Sequence, residues 1–238
     1  MRPRRAGQGL AVPVAWPGQP GDGGGDAFPA GGGIRPHDAA GAAEPVVIIA
    51  VANQSGSAGR AIVANNLALL RARAGRRVML VDTDPKAPSR GWCSEMAAAG
   101  VQPRIAARVI TGRELVPELE LLRTRYNDIV IDTEGRDTTE SRAALIAARL
   151  VVVPVTPRQV DLASQYKLIA RLNSARMFNP GLRVLFVLVG GPAEPTDEER
   201  AAVRAYVARV MSATLASTVI HGQAPADMDA LYREVFNH

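Results

Sequence analysis

The stretch "VVIIAVANQSGSAGRAIVANNLALL" (46–70) changes character twice. Its opening, "VVIIAVA" (46–52), is β-branched and apolar without polar alternation, as in a strand covered on both faces. Its close, "RAIVANNLALL" (60–70), carries apolar residues at helical spacing. Between them lies a short polar turn holding Gly56 and Gly59. A glycine-bearing turn between a buried strand and a helix gathers backbone N–H groups at the positive end of the helix dipole, and phosphate oxygens fit such a place.

The same alternation runs on through the chain. Apolar, strand-like runs recur at "RVMLVD" (77–82), "DIVIDT" (128–133), "LVVVPV" (150–155) and "RVLFVLVG" (183–190), with weaker ones at 103–109 and 213–220. Helical patterns separate them at about 60–74, 87–99, 111–125, 138–148, 159–175 and 196–211. Gly75 and Gly100 read as C-terminal helix stops. Strands that alternate with helices predict right-handed crossovers and a doubly wound, mostly parallel α/β sheet with helices on both faces. Ligands of such sheets sit beyond the carboxyl ends of the strands. Here those ends fall at 53–60, 82–86, 133–137 and 154–158.

Composition narrows the function classes. The chain has 238 residues, 47% of them hydrophobic, and a single cysteine, Cys93. One cysteine and the scattered His37, His221 and His238 exclude an internal disulfide framework and argue against a protein-bound metal cluster. Cysteine usage points to the cytoplasm. The net charge is +5, carried almost wholly by arginine, since Lys86 and Lys167 are the only lysines. GC-rich codon usage accounts for that bias most simply.

Residues 1–44 form a separate zone, rich in glycine and proline and without apolar periodicity, as in "PGQPGDGGGDAFPAGGG". This composition predicts a disordered arm before a single domain over 45–238. Arg2, Arg4, Arg5 and Arg35 balance Asp22, Asp26, Asp38 and Glu44 in the arm, so the positive surplus belongs to the domain. Arginines at 104, 108, 113, 123 and 125, and at 200, 204 and 209, are expected to form a basic face suited to nucleic acid. No export signal follows "MRPRRAG", and no run of about 18 apolar residues occurs, so no membrane span is expected.

Four further motifs follow the glycine turn in order: "NNLA" (65–68), "VDTDPK" (81–86), "VIDTEGRD" (130–137) and "VPVTPRQVDL" (153–162). Together they resemble the ParA/MinD family of deviant P-loop ATPases, whose loop reads roughly KGGxGKT and whose members position plasmids, chromosomes and other cargo in bacteria. The resemblance spans about 46–225. It implies ATP with Mg²⁺ as ligands, a homodimer, an adaptor protein as partner, sequence-independent DNA binding, and a bacterial cytoplasmic, nucleoid-associated location. Relatives often carry another helix after the segment equivalent to "ADMDALYREVF" (226–236), where the dimer face or DNA surface is shaped.

Carried over by position, the resemblance assigns nucleotide contacts to Gly56, Ser57, Ala58, Gly59, Arg60, Ala61 and Ile62. Asp82 and Asp132 correspond to carboxylates that hold Mg²⁺ indirectly, and Asp84 to the residue that orients the attacking water. The departures are as specific as the matches. Ser55 stands at the family's signature lysine, Ser57 at a loop glycine, Arg60 at the phosphate-binding lysine and Ala61 at the hydroxyl that ligates Mg²⁺. "LVGGPAEP" (188–195) lacks the asparagine that often reads adenine. Alanine cannot bind a metal, and a guanidinium fork is too wide to enter an ammonium's phosphate nest unchanged.

Plainer readings compete at several positions. Asp82 and Asp84 can cap the next turn, Asp161 can be an N-cap, and His221 can be an ordinary surface histidine; Trp92 and Cys93 suit a packed helix. Likeness to nitrogenase-type reductases fails for want of paired cluster-ligand cysteines. Two functions remain: a nucleotide-weak ParA-like scaffold with little or no hydrolysis, or an active ATPase with a rewired loop.

Overall fold

The computed structural model describes residues 46–53, 59–156, 162–191, 193–222 and 224–236. The arm expected over 1–44, the turn residues Ser55, Gly56, Ser57 and Ala58, and Asp161 lie outside them.

The apolar runs become strands β1 (Val47–Val51), β2 (Val78–Asp82), β3 (Ala106–Val109), β4 (Asp128–Asp132), β5 (Leu150–Val155), β6 (Arg183–Gly190) and β7 (Ala213–His221). Helices α1 (Gly59–Arg73), α2 (Pro88–Ala98), α3 (Leu115–Arg123), α4 (Thr139–Ala147), α5 (Leu162–Phe178), α6 (Asp197–Val207) and α7 (Pro225–Phe236) alternate with them. The helix expected from residue 111 begins instead with a 3-10 turn, Gly112–Glu114, and turns α-helical at Leu115. The weak strand expected over 103–109 is paired only from Ala106.

The strands form one sheet in the order β3-β2-β4-β1-β5-β6-β7. Every pairing is parallel. Burial on both faces explains the absence of polar alternation. Ile48, Ile129, Val151 and Phe186 point into one layer with α3, α4, α5 and α6. Ile49, Val130, Val152 and Val187 point into the other with α1 and α7. Removing a branched side chain from either layer costs about 2–5 kcal/mol.

Local chemistry sets the helix ends. Gly75 and Gly100 take φ of 82° and 72°, the left-handed conformation that stops α1 and α2 without a Cβ clash. Thr138 caps α4 and Thr196 caps α6, each through a reciprocal capping box, with Ser141 and Glu199. Strand order then decides the site. The chain reverses direction across the sheet at β1, between β4 and β5, which opens a crevice at the carboxyl ends of β1, β2 and β4.

Candidate functional site

Asp82 closes β2 and Asp132 closes β4, and the two strands pair with these residues in register. Both carboxylates are fully buried. Arg60 enters from the first turn of α1, and only 5% of it is exposed. Its Nε donates to Asp132 Oδ1 at 2.7 Å, and its Nη2 lies 3.7 Å from Asp84 Oδ2. The other Asp132 oxygen accepts a 2.6 Å hydrogen bond from the Ser89 hydroxyl. Arg60 therefore faces the carboxylates of the site.

Asp82 fills the role of a helix cap. Its Oδ2 accepts from the backbone N–H groups of Ser89, at 2.8 Å, and Arg90, at 3.2 Å, while its Oδ1 accepts from Asp84 N at 3.0 Å. The bonds to Ser89 and Arg90 serve N–H groups that the first turn of α2 leaves open. They also help hold Ala87, which precedes α2 at φ 51° and ψ 49°, a left-handed conformation costing an alanine about 1–2 kcal/mol. Burial pushes the Asp82 carboxyl up to about 6; the backbone donors pull against that shift and the Asp132 charge adds to it. Burial likewise raises Asp132, against the pull of Arg60 and Ser89. Asp84 is the most open of the set, its side chain 20% exposed, with Oδ1 accepting from Lys86 N at 2.9 Å.

The structure thus brings together Arg60, Asp82, Asp84 and Asp132. Gly59 lies against β5 and β6: a Cβ there would meet Val189 at 3.3 Å and Pro154 at 3.5 Å, so the helix start approaches the sheet closely. Ala61 and Ile62 come next in α1, and Ala61 offers no hydroxyl. Magnesium demands about six oxygen ligands at roughly 2.1 Å. Waters and phosphate oxygens usually supply most of them, and the described carboxylates have few free oxygens to add: both Asp132 oxygens are engaged, Asp82 is spent on α2, and a guanidinium sits between Asp132 and Asp84. Among the described residues no group of three or more His, Cys, Asp or Glu side chains could hold a metal ion.

Sequence reasoning passed over several neighbours. Ser89 comes after Pro88 at the start of α2, a spacing that places a hydroxyl beside the end of β2 and was legible in principle. Thr83 and Thr133 continue the strand ends, donating backbone N–H to Asp132 O and Val51 O, and Thr83 Oγ1 accepts from Glu134 N at 2.9 Å. Arg171 on α5 donates to Arg136 O at 2.8 Å and to Asn53 O at 3.4 Å, joining the exits of β4 and β1; no local pattern announces this. Burial lowers the Arg171 pKa.

Other expected residues sit apart. His221 ends β7 with Nδ1 3.1 Å from Asp227 and Nε2 3.3 Å from Glu194. Cys93 is half-buried on α2, and burial pushes its thiol up to about 11, which suits packing rather than chemistry.

The fold matches that of known proteins. Residues 49–223 match the CobQ/CobB/MinD/ParA nucleotide binding domain family. The chain belongs to this family. It is 32% identical to the chromosome-partitioning ATPase Soj of Thermus thermophilus over 59% of this chain and 68% of that protein. It is 25% identical to the maintenance of carboxysome distribution protein A of Halothiobacillus neapolitanus, covering 72% of this chain and 78% of the relative. The crystal structure of a plasmid partition protein from Borrelia burgdorferi shares the fold with a TM-score of 0.61 at 16% identity, over 82% of this chain and 99% of that one. No helix among the described residues is long and apolar enough to cross a membrane.

Proposed function

We propose that this chain is a ParA-like protein for partition or positioning of DNA or other cellular cargo, in which nucleotide binding is weakened and ATP hydrolysis is largely lost. It acts as a scaffold for an adaptor protein in the bacterial cytoplasm. The family and its relatives support the positioning role.

One observation carries the weakened site: the Arg60 guanidinium is committed to Asp132 at 2.7 Å. That cation stands where the resemblance puts a phosphate-binding lysine, yet its Nε is held by a buried carboxylate, while Nη1 is buried without a hydrogen-bond partner. Ala61 supplies no metal ligand and Ser55 no second cation. Arg60 therefore faces two carboxylates, Asp84 and Asp132, with Asp82 buried next to Asp132 in register, and an incoming polyphosphate meets a net negative cluster. Each lost charge-assisted contact costs roughly 1.5–3 kcal/mol, so two such losses lower ATP affinity by hundreds of fold or more. Hydrolysis falls further, because phosphoryl transfer depends almost wholly on positioning and charge stabilisation.

Calorimetry with ATP, with and without Mg²⁺, and turnover measured beside an Asp84→Ala variant test this reading. Weak ATP binding and turnover no faster than that of the variant are expected. Joint replacement Arg60→Lys with Ala61→Thr should raise turnover. Turnover in the unaltered protein that Asp84→Ala abolishes would establish the alternative, an active ParA-type ATPase whose Arg60 swings to the phosphates.

A further inference from the structure

The positive charge among the site carboxylates belongs to a side chain, and its placement is unusual for a helix. Arg60 stands in the first turn of α1, where the dipole already presents positive charge and where no acidic residue of the helix offsets it. A guanidinium buried there is stable only with strong anionic partners. Asp132 supplies one at 2.7 Å and Asp84 a second at 3.7 Å. Asp132 is itself completely buried and depends on the pair equally.

We infer that Arg60 is a built-in cation that takes the place of a divalent metal between Asp132 and Asp84, so that the site keeps its shape without any divalent ion. The inference rests on the reading of these residues as the family's nucleotide site, though not on whether ATP binds. Three features support it. The planar fork reaches two carboxylates at once, as a hydrated metal ion does through its waters. With Arg60 in place an incoming ion finds little to ligate, because Asp132 Oδ1 and Asp84 Oδ2 face the guanidinium and the other oxygens are held by Ser89 Oγ and by the backbone N–H groups of Asp84, Lys86, Ser89 and Arg90; removing Arg60 frees only the first two. Ala61 withholds the hydroxyl that a metal would need.

Thermal unfolding of the full chain without nucleotide provides the test, in EDTA and in millimolar Mg²⁺ at matched ionic strength. The unaltered protein should unfold at the same temperature in both. Arg60→Met strands buried carboxylates and should unfold roughly 10 °C lower in EDTA. Millimolar Mg²⁺ should restore at least half of that loss, because the vacated carboxylates then take the ion. The double variant Arg60→Met with Asp132→Asn removes both charges; it should be more stable than the single variant in EDTA and indifferent to Mg²⁺. If the single variant fails to fold, a folded double variant that ignores Mg²⁺ supports the inference, and a double variant that also fails overturns it. It is equally overturned if Mg²⁺ stabilises the unaltered protein beyond matched salt, if Arg60→Met is as stable as the parent, or if Mg²⁺ leaves the single variant unchanged. Since no nucleotide is present, none of these outcomes depends on the ATP calorimetry.

Discussion

Ser89 shows how closely the site is balanced at the level of single residues. Its hydroxyl is the second hydrogen-bond donor to a carboxylate that has no contact with water, and its backbone N–H serves Asp82. Ser89→Ala keeps the backbone bond and removes the hydroxyl, leaving Asp132 Oδ2 unsatisfied at a cost of about 1–3 kcal/mol. For a domain of this size that should lower the melting temperature by roughly 3–10 °C, and the loss should shrink when Asp132 is also changed to Asn. A melting temperature within a degree of the parent would show that the carboxylate does not need this bond. Positions were legible where a motif placed them: Asp82 and Asp132 end neighbouring strands in register, and Asp84 follows Asp82 by two residues. The direction of Arg60 was not legible. It depends on a partner 72 positions away, and sequence alone gives the charge of a side chain without its rotamer. The plainer reading of Asp82, as a cap for the next turn, describes its hydrogen bonds to the start of α2.

At the level of elements, continuous apolar runs foretold the strands of the sheet centre to within a residue or two, because a strand buried on both faces has only one kind of sequence available to it. Edges were less clear. No residue of β3 is fully buried, and the pairing of β7 with β6 slips in register between Phe186 and Leu188. The slip leaves backbone donors at Ser217 and Thr218 without sheet partners, and Glu234 on α7 accepts from both N–H groups and both hydroxyls. Burial works against this carboxylate's charge, yet the four donors hold its pKa below the usual range. A depressed folded pKa gives stability that is complete above the unfolded value and is lost as pH falls through the folded one. Glu234→Gln should therefore unfold roughly 2–5 °C below the parent at neutral pH. The gap should narrow as pH is lowered below about 4. A gap that stays constant from neutral to acid pH would assign the effect to packing and not to charge.

Across the whole molecule, the distribution of arginines decides how strongly the domain can hold nucleic acid. The sequence suggested one basic face, and the fold divides it. Arg104 and Arg108 lie at the β3 edge, whereas Arg200 and Arg204 ride on α6 beside β7 at the opposite edge. Those edge strands are roughly 29 Å apart at ordinary strand spacing. Arg108, Arg123 and Arg200 are also paired with Glu118, Glu120 and Glu194. Arg209 lies over the ring of Tyr166, 5.8 Å from its centre. Two separated and partly neutralised groups cannot line up along one backbone as a single stripe does, so few phosphates are engaged at a time. The domain should therefore bind duplex DNA weakly and without regard to sequence. With about three phosphates neutralised, a fourfold rise in salt should weaken binding by roughly 40-fold. On the proposed reading, in which Arg60 stays on Asp132, added ATP with Mg²⁺ should leave the affinity unchanged. Fluorescence anisotropy of a labelled duplex over a salt series, with and without ATP, measures both properties. Strong retention only in the presence of ATP would contradict a locked site and restore the nucleotide switch; no binding at the lowest salt would leave an adaptor protein as the client of the scaffold.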